Sequence, residues 1–230
     1  MTRLMIVGAV SLCFVSCDNP VQYSGFVMDE FFPLDGSERA WVMSNKDAPQ
    51  DYLLDVSFNG EREELDDGSE VYTFSTSKRC VDGVDECGAG PLYDITMSSG
   101  PLAGVRLHGY TLAGDEPVVF NNPLLLADAK MVRGDVVTTD DVDGHSFTVT
   151  FVGLEAELDG DGEPTDLADE LGCDHTMGVN WKCAHLSVES TPAGHWLAGE
   201  YWATAGYNIV AFERVDDPGK WRTIDVDFVQ

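Results

Sequence analysis

The sequence predicts a mainly β protein whose strands pair antiparallel, with at most one or two short helices. Three observations carry this. Apolar residues recur at every second position in several short runs, Gly- and Asp-containing turn signals separate those runs, and only one stretch carries helix punctuation. A period of two places one face of a strand on the core and the other in water, the pattern of an antiparallel sheet covered on one side. No long crossover pattern alternates with the strands, which excludes a parallel α/β architecture.

Tyr52, Leu54, Val56 and Phe58 alternate with Leu53, Asp55, Ser57 and Asn59, a half-buried strand. Tyr72 and Phe74 alternate with Thr73 and Ser75, and Tyr93, Ile95 and Met97 alternate with Asp94, Thr96 and Ser98. Phe147, Val149 and Phe151 form a further run, after which the apolar phase shifts to Val152, Leu154, Ala156 and Leu158. A shift of phase inside one strand requires a bulge or bend. Ile224, Val226 and Phe228 supply the last run. Turns are expected at Asn59-Gly60, Asp67-Gly68, Asp82-Gly83, Ser99-Gly100-Pro101, Asp143-Gly144 and Asp159-Gly160-Asp161-Gly162. The acidic stretches Glu61 to Asp67 and Asp140 to Gly144 also read as turns. Pro164 to Leu171 is the one plausible helix, opened by Pro164 or Thr165 and closed by Gly172.

The chain has 230 residues, 43% of them apolar, with 41 acidic against 13 basic residues and a net charge of -28. That length and apolar fraction suit one globular domain with a real core. Global disorder is excluded by an aromatic content of 10%. So is nucleic-acid binding, because a polyanion gains nothing by releasing counterions from phosphates. Electrostatic docking on an anionic lipid surface fails for the same reason.

Met1-Thr2-Arg3 is a short positive start, and Leu4 to Val15 is an uncharged, mostly apolar run. Twelve helical residues cover about 18 Å against a hydrocarbon core of about 30 Å, too short to span and right for a signal peptide. Phe14-Val15-Ser16-Cys17 resembles the lipobox of bacterial lipoproteins, with Phe14 where Leu is usual. The resemblance implies cleavage before Cys17, lipidation of that residue, and a stable anchor of two or three acyl chains. Asp18 after the lipid Cys favours inner-membrane retention in some bacterial groups only, so it does not choose the membrane. An ordinary secretory signal cut near Ser16 is the alternative. The expected organisation is a signal peptide over 1–16, a lipid-anchored tether over 17–30 and one β-rich domain over 31–230. The expected location is the bacterial cell envelope, facing the periplasm or the exterior.

Removing Cys13 and Cys17 leaves Cys80, Cys87, Cys173 and Cys183. Four cysteines allow three pairings, and the spacing favours local ones, Cys80 with Cys87 and Cys173 with Cys183. An oxidising envelope makes disulfides the default, each worth about 2.5 to 3 kcal/mol for such short loops. A rival reading joins Cys173, His175, Cys183 and His185 as a tetrahedral Cys2His2 zinc site, because residues two apart on a strand share a face.

Phe31-Phe32-Pro33-Leu34-Asp35-Gly36 with Trp41, and the segment Glu200 to Val210, are similar to the opening and closing segments of a group of uncharacterised bacterial lipoproteins. That resemblance implies a curved antiparallel sheet, a half-barrel or sandwich, with the strand of the closing segment ending at Ile209-Val210. It assigns no chemistry. Without it, Pro33 ends an edge segment, Gly36 and Gly206 permit turns, and Trp41, Trp196 and Trp202 fill the core.

Nucleophile-elbow, P-loop, HExxH and dinucleotide patterns are absent from the sequence. His145 stands two residues after Asp143, but neighbours in a turn do not face one another as a triad must. His108, His175, His185 and His195 read as solvated or hydrogen-bonded strand residues. Catalytic residues are therefore not expected. Glu155 to Glu170 is strongly acidic, and Asp159, Asp161, Glu163 and Glu170 occupy positions one, three, five and twelve of a calcium-loop register. Position six is Pro164 where an EF-hand needs Gly, so a looser, weak calcium site is the metal reading and a solvated hairpin tip the plain one. The expected function is non-catalytic binding of an envelope partner or a small apolar ligand in a concave sheet. A calcium-stabilised surface module and an unrecognised hydrolase are the alternatives. A pocket of Trp and Phe without convergent titratable groups distinguishes the first.

Overall fold

The computed structural model describes residues 26–27, 38–45, 51–58, 61–84, 86–100, 102–155, 183–204, 208–217 and 219–227. The lipobox with Cys17, the acidic loop with Asp159, Asp161, Glu163 and Glu170, the expected helix, Cys173 and His175 lie outside them. So do the turn at Asn59-Gly60 and the motif at Phe31 to Gly36.

Fifteen strands follow one another, and no helix occurs among the described residues. They are β1 (Phe26–Val27), β2 (Arg39–Asn45), β3 (Tyr52–Phe58), β4 (Glu63–Glu64), β5 (Glu70–Cys80), β6 (Gly90–Gly100), β7 (Gly104–Leu112) and β8 (Val118–Ala127). Then come β9 (Lys130–Met131), β10 (Val136–Val142), β11 (His145–Glu155), β12 (Cys183–Thr191), β13 (Gly199–Thr204), β14 (Asn208–Arg214) and β15 (Trp221–Asp227). The expected strands at 52, 72, 93, 147 and 224 are β3, β5, β6, β11 and β15. Several strands lacked a clean period and were not expected. β8 contains Asn121, Asn122 and Pro123 followed by three leucines, and β7 is interrupted by register shifts beside Val105 and Leu107.

One sheet runs β10-β11-β12-β13-β14-β15-β2-β3-β5-β6-β7-β8, with β4 paired on β5. It consists of two six-stranded meanders, one on each side of the β15–β2 pair. That junction is a backbone ladder running from Trp221 opposite Asn45 to Asp227 opposite Ala40. The two outer edges, β8 and β10, meet through side chains instead. Leu125 N donates to Thr139 Oγ1 at 3.0 Å, and Asn122 Nδ2 donates to the Asp140 carbonyl at 2.9 Å. The sheet is thus a nearly closed barrel, which goes beyond the expected half-barrel and removes most of the exposed edge. Within the segment expected as tether, Phe26–Val27 pair with Lys130–Met131 in the connection between those two edges.

The phase shift in β11 is a bulge, as its sequence required. The register with β12 slips between Phe151 and Gly153, where the glycine takes φ +147°. Other boundaries differ from expectation. Ser99-Gly100 closes β6 rather than turning, because Gly100 pairs with Gly104. Asp140 to Val142 belong to β10, so the turn contains only Asp143 and Gly144. Glu63–Glu64 form a short strand on β5. Ile209-Val210 open β14 instead of ending a strand, since the ladder continues to Arg214 opposite Gly199.

Inward residues alternate as the period of two demands. Val56 and Phe58 of β3, Tyr72 and Phe74 of β5, and Phe147, Val149 and Phe151 of β11 belong to one buried core with Trp41 and Trp221. Each fully buried side chain of this size contributes about 1.5–3 kcal/mol. Cys80 and Cys87 are bridged across the β5–β6 connection with a Cα separation of 5.4 Å. Cys183, at the start of β12, is also disulfide-bonded, to a partner outside the described residues.

Candidate functional site

The loop 192–198, between β12 and β13, folds into the barrel. Its sequence, Pro-Ala-Gly-His-Trp-Leu-Ala, opens with turn formers and ends with an apolar run, so a turn at Gly194 (φ +101°) delivers that run inward. A buried loop must satisfy its own backbone. Leu197 N donates to His195 Nδ1 at 3.2 Å, Ala198 N to the His195 carbonyl at 2.9 Å, and Val215 N to the Ala198 carbonyl at 3.1 Å. The loop's exit at Gly199 lies against β14: φ is +155°, and a Cβ there would stand 2.3 Å from the Glu213 carbonyl oxygen.

On one side of this plug lies a polar cluster. The β10–β11 turn has positive φ at both Asp143 and Gly144, the requirement of a two-residue type I′ hairpin. It aims the Asp143 carboxylate inward, where Oδ2 accepts a hydrogen bond from Tyr110 Oη at 3.1 Å and faces His195 Nε2 at 3.7 Å. His145 Nδ1 instead donates to the Asp143 carbonyl at 2.9 Å. The His195 ring stacks edge-on against His145 and Phe147, with centroids 4.8 and 5.0 Å away. Burial, and then the neighbouring His145, hold the His195 imidazole below its ordinary pKa, against an opposing pull from Asp143. The side chain is 5% exposed, with its Nδ1 taken by a backbone donor, so it is closed rather than poised for proton transfer.

A second histidine cluster lies along β12 and β13. Glu200 accepts from Ser187 Oγ at 2.7 Å through Oε1, and its Oε2 lies 2.7 Å from His185 Nε2, whose ring stacks on Trp202 at 4.6 Å. Nucleophile activation needs the imidazole between hydroxyl and carboxylate. Here the carboxylate stands between the other two. The rival zinc reading fails at the same place, because the Cys183 sulfur is in a disulfide and the His185 Nε2 is engaged by Glu200.

On the other side of the plug the interior is open and apolar. Trp41 from β2, Val56 from β3, Phe74 from β5, Met97 from β6 and Phe212 from β14 surround a cavity that Trp196 and Leu197 of the loop cap. It measures about 70 Å³ inside and about 530 Å³ with its mouth included. The space is therefore a narrow slot, wide enough for one slim chain or ring.

Arg214 stands at its rim. The guanidinium carbon lies 5.0, 5.3 and 5.5 Å from the rings of Phe212, Trp196 and Tyr93, and the side chain is 11% exposed. Its ion pairs are long: Nε to Asp216 Oδ1 at 3.4 Å and Nη2 to Asp217 Oδ2 at 3.7 Å. Asp217 already accepts from Trp221 Nε1 at 2.9 Å. Tyr201, also on the wall, donates to the Leu197 carbonyl at 2.8 Å, and burial pushes its phenol above the ordinary range. Outside the rim lies a wider vestibule that shares Tyr93, Trp196 and Arg214 with the slot and adds Lys78, Asp216 and Asp217. Lys78 Nζ sits 4.2 Å over the Tyr52 ring there.

Of the residues singled out in the sequence, Trp41 and Trp196 line the cavity and Cys80–Cys87 form their bridge. Arg214 was missed. Its signal is its place two residues after Phe212, where a charged residue continues the strand's apolar phase. Among solved structures, the chain is similar to a "putative lipoprotein from Parabacteroides distasonis", with 12% identity and a TM-score of 0.39 over 90% of this chain and 100% of that one. No protein-family model and no curated protein matches the chain.

Proposed function

We propose that this chain is a lipid-anchored envelope protein that holds a small apolar ligand in the lumen of its barrel and performs no chemistry on it. The lumen carries the reading. Its wall is aromatic and aliphatic, the described polar residues on it form no acid–base pair, and the buried histidine with an oriented carboxylate lies beyond the plug. The anchor rests on Phe14-Val15-Ser16-Cys17 and the apolar run before it.

A neutral fluorescent probe, N-phenyl-1-naphthylamine, tests the lumen on delipidated protein. We expect saturable one-to-one binding, and a loss of roughly tenfold or more in Val56→Phe, whose added ring fills the slot. An unchanged affinity in a folded Val56→Phe protein, or no binding to the wild type, overturns the reading. Intact mass with and without globomycin tests the anchor, and a mature chain without added lipid mass removes it.

A further inference from the structure

The lumen has an imbalance that indicates the head of its ligand. Three of its wall residues present buried N–H donors with no hydrogen-bond partner among the described residues: Trp41 Nε1, Trp196 Nε1 and Arg214 Nε. Trp41 is 2% exposed, so water does not satisfy its indole, and an unmet buried donor costs about 1–3 kcal/mol. All three groups donate and none accepts. Arg214, whose side chain is 11% exposed at the rim, is the one a ligand head reaches, and that head must bring acceptor oxygens.

Charge at the rim narrows the choice further. Among the described residues Arg214 is the only cation on the slot wall, and its two acids sit at 3.4 and 3.7 Å, beyond the usual 2.7–3.2 Å of an N–H···O bond. They balance its charge without meeting its Nε donor. The vestibule holds Lys78 and Arg214 against Asp216 and Asp217, so its formal charges cancel. The chain's net charge of -28 is screened beyond about 8–10 Å at physiological salt. A carboxylate therefore meets no local repulsion at the entrance and gains charge-assisted hydrogen bonds at Arg214. A cationic head would have to displace or oppose Arg214, whose guanidinium already occupies the aromatic rings of the rim.

Resting on the lumen reading above, we infer that the ligand is a slim apolar monocarboxylate of the fatty-acid class, with its tail in the slot and its carboxylate on Arg214. The slot's narrowness fits a single unbranched tail. Arg214 is here a binding residue that selects the head group, while the apolar wall supplies affinity without regard to the head.

Three twelve-carbon ligands separate this inference from the lumen reading itself: dodecanoate, dodecanol and dodecyltrimethylammonium, each titrated calorimetrically into delipidated protein below its micelle concentration. Dodecanoate is expected to bind roughly 10- to 100-fold more tightly than dodecanol, with the ammonium weakest. Arg214→Gln should bring dodecanoate down to the level of dodecanol and leave dodecanol within about threefold, while Arg214→Lys keeps part of the preference. Equal affinity for dodecanoate and dodecanol, or a preference for the ammonium, overturns the head-group assignment and leaves the lumen reading standing. Failure of all three to bind overturns the lumen reading as well. The comparison on the wild type needs no variant, so the assignment is decided even if Arg214→Gln does not fold.

Discussion

The loop 192–198 divides the barrel interior into two regions of opposite kind. Toward the β10–β11 turn, Tyr110, Asp143, His145, Phe147 and His195 pack ring against ring, and each polar group there meets a partner or an opposite charge. Toward β2, β5 and β14 the same sheet leaves a slot, and three buried N–H donors on its wall, on Trp41, Trp196 and Arg214, have no acceptor among the described residues. Interiors are close-packed by default, and buried polar groups are paired by default. A region that breaks both rules beside one that keeps both is where a binding site belongs. One short loop supplies each region with its residue: His195 to the closed side, Trp196 and Leu197 to the open one.

Truncating a phenylalanine in each region tests that contrast most strongly. Phe147 is fully buried and touches both His145 and His195, so Phe147→Ala is expected to cost about 3–5 kcal/mol of unfolding free energy, measured by urea melts. Phe74 is also buried, but one side of it already faces the slot. Phe74→Ala should fall at the low end of that range, because the side of its ring on the slot has no neighbour to lose, although its contacts with Trp41, Phe58 and Tyr72 go. Equal costs would mean that the slot is no looser than the closed cluster.

Asp143 links the closed side together and comes next in size. Asp143→Ala removes the acceptor of the Tyr110 hydroxyl and places Ala at φ +50°, a conformation that Asp tolerates better. A loss of about 2 kcal/mol is expected, with Asp143→Asn recovering most of it, since Asn also accepts from Tyr110 and tolerates positive φ. If Asp143→Asn is as damaging as Asp143→Ala, the charge facing His195 matters more than the hydrogen bond. Neither change should alter affinity for a neutral probe in the lumen, because Asp143 lies beyond the plug.

How far the sequence reveals this division depends on the range of the interactions. Alternation within one strand is local, so β3, β5, β6, β11 and the bulge before Gly153 are legible from residues a few positions apart. Barrel closure is not legible, because Asn122 meets Asp140, and Leu125 meets Thr139, across two strand edges with no pattern that pairs them. The histidines illustrate the same limit. His145 beside Asp143 looks like the pair worth weighing, yet His145 bonds only that residue's carbonyl, while the carboxylate turns to Tyr110 and His195. His195 reads as a strand histidine and is a buried loop residue, since the apolar Trp-Leu-Ala after it draws the loop inward. Arg214 shows only as a charge in an apolar phase, and its significance depends on a cavity that six strands and a loop must build first.

The smallest expected effect is a pH dependence that belongs to the closed side alone. His195 has a folded pKa held below the value of about 6.5 that it takes in the unfolded chain. Above that value both states are neutral and the full stability is present. As pH falls through it, the unfolded chain binds protons first, so stability declines until the folded value is reached and then levels off. The groups facing the ring set the size: His145 deepens the depression, while Asp143 and Asp216 oppose it, and that opposition keeps the effect small. His108, buried and bonded to Ser98, contributes a slope of the same sign. Thermal midpoints at pH 7.5, 6.5 and 5.5 should therefore be compared between wild type and His195→Gln, where that contribution cancels. The variant is expected to lose less stability than the wild type between the first and last of these. Parallel profiles would mean that the His195 imidazole takes up its proton as readily in the barrel as in water, and that the plug's closed side is open to solvent after all.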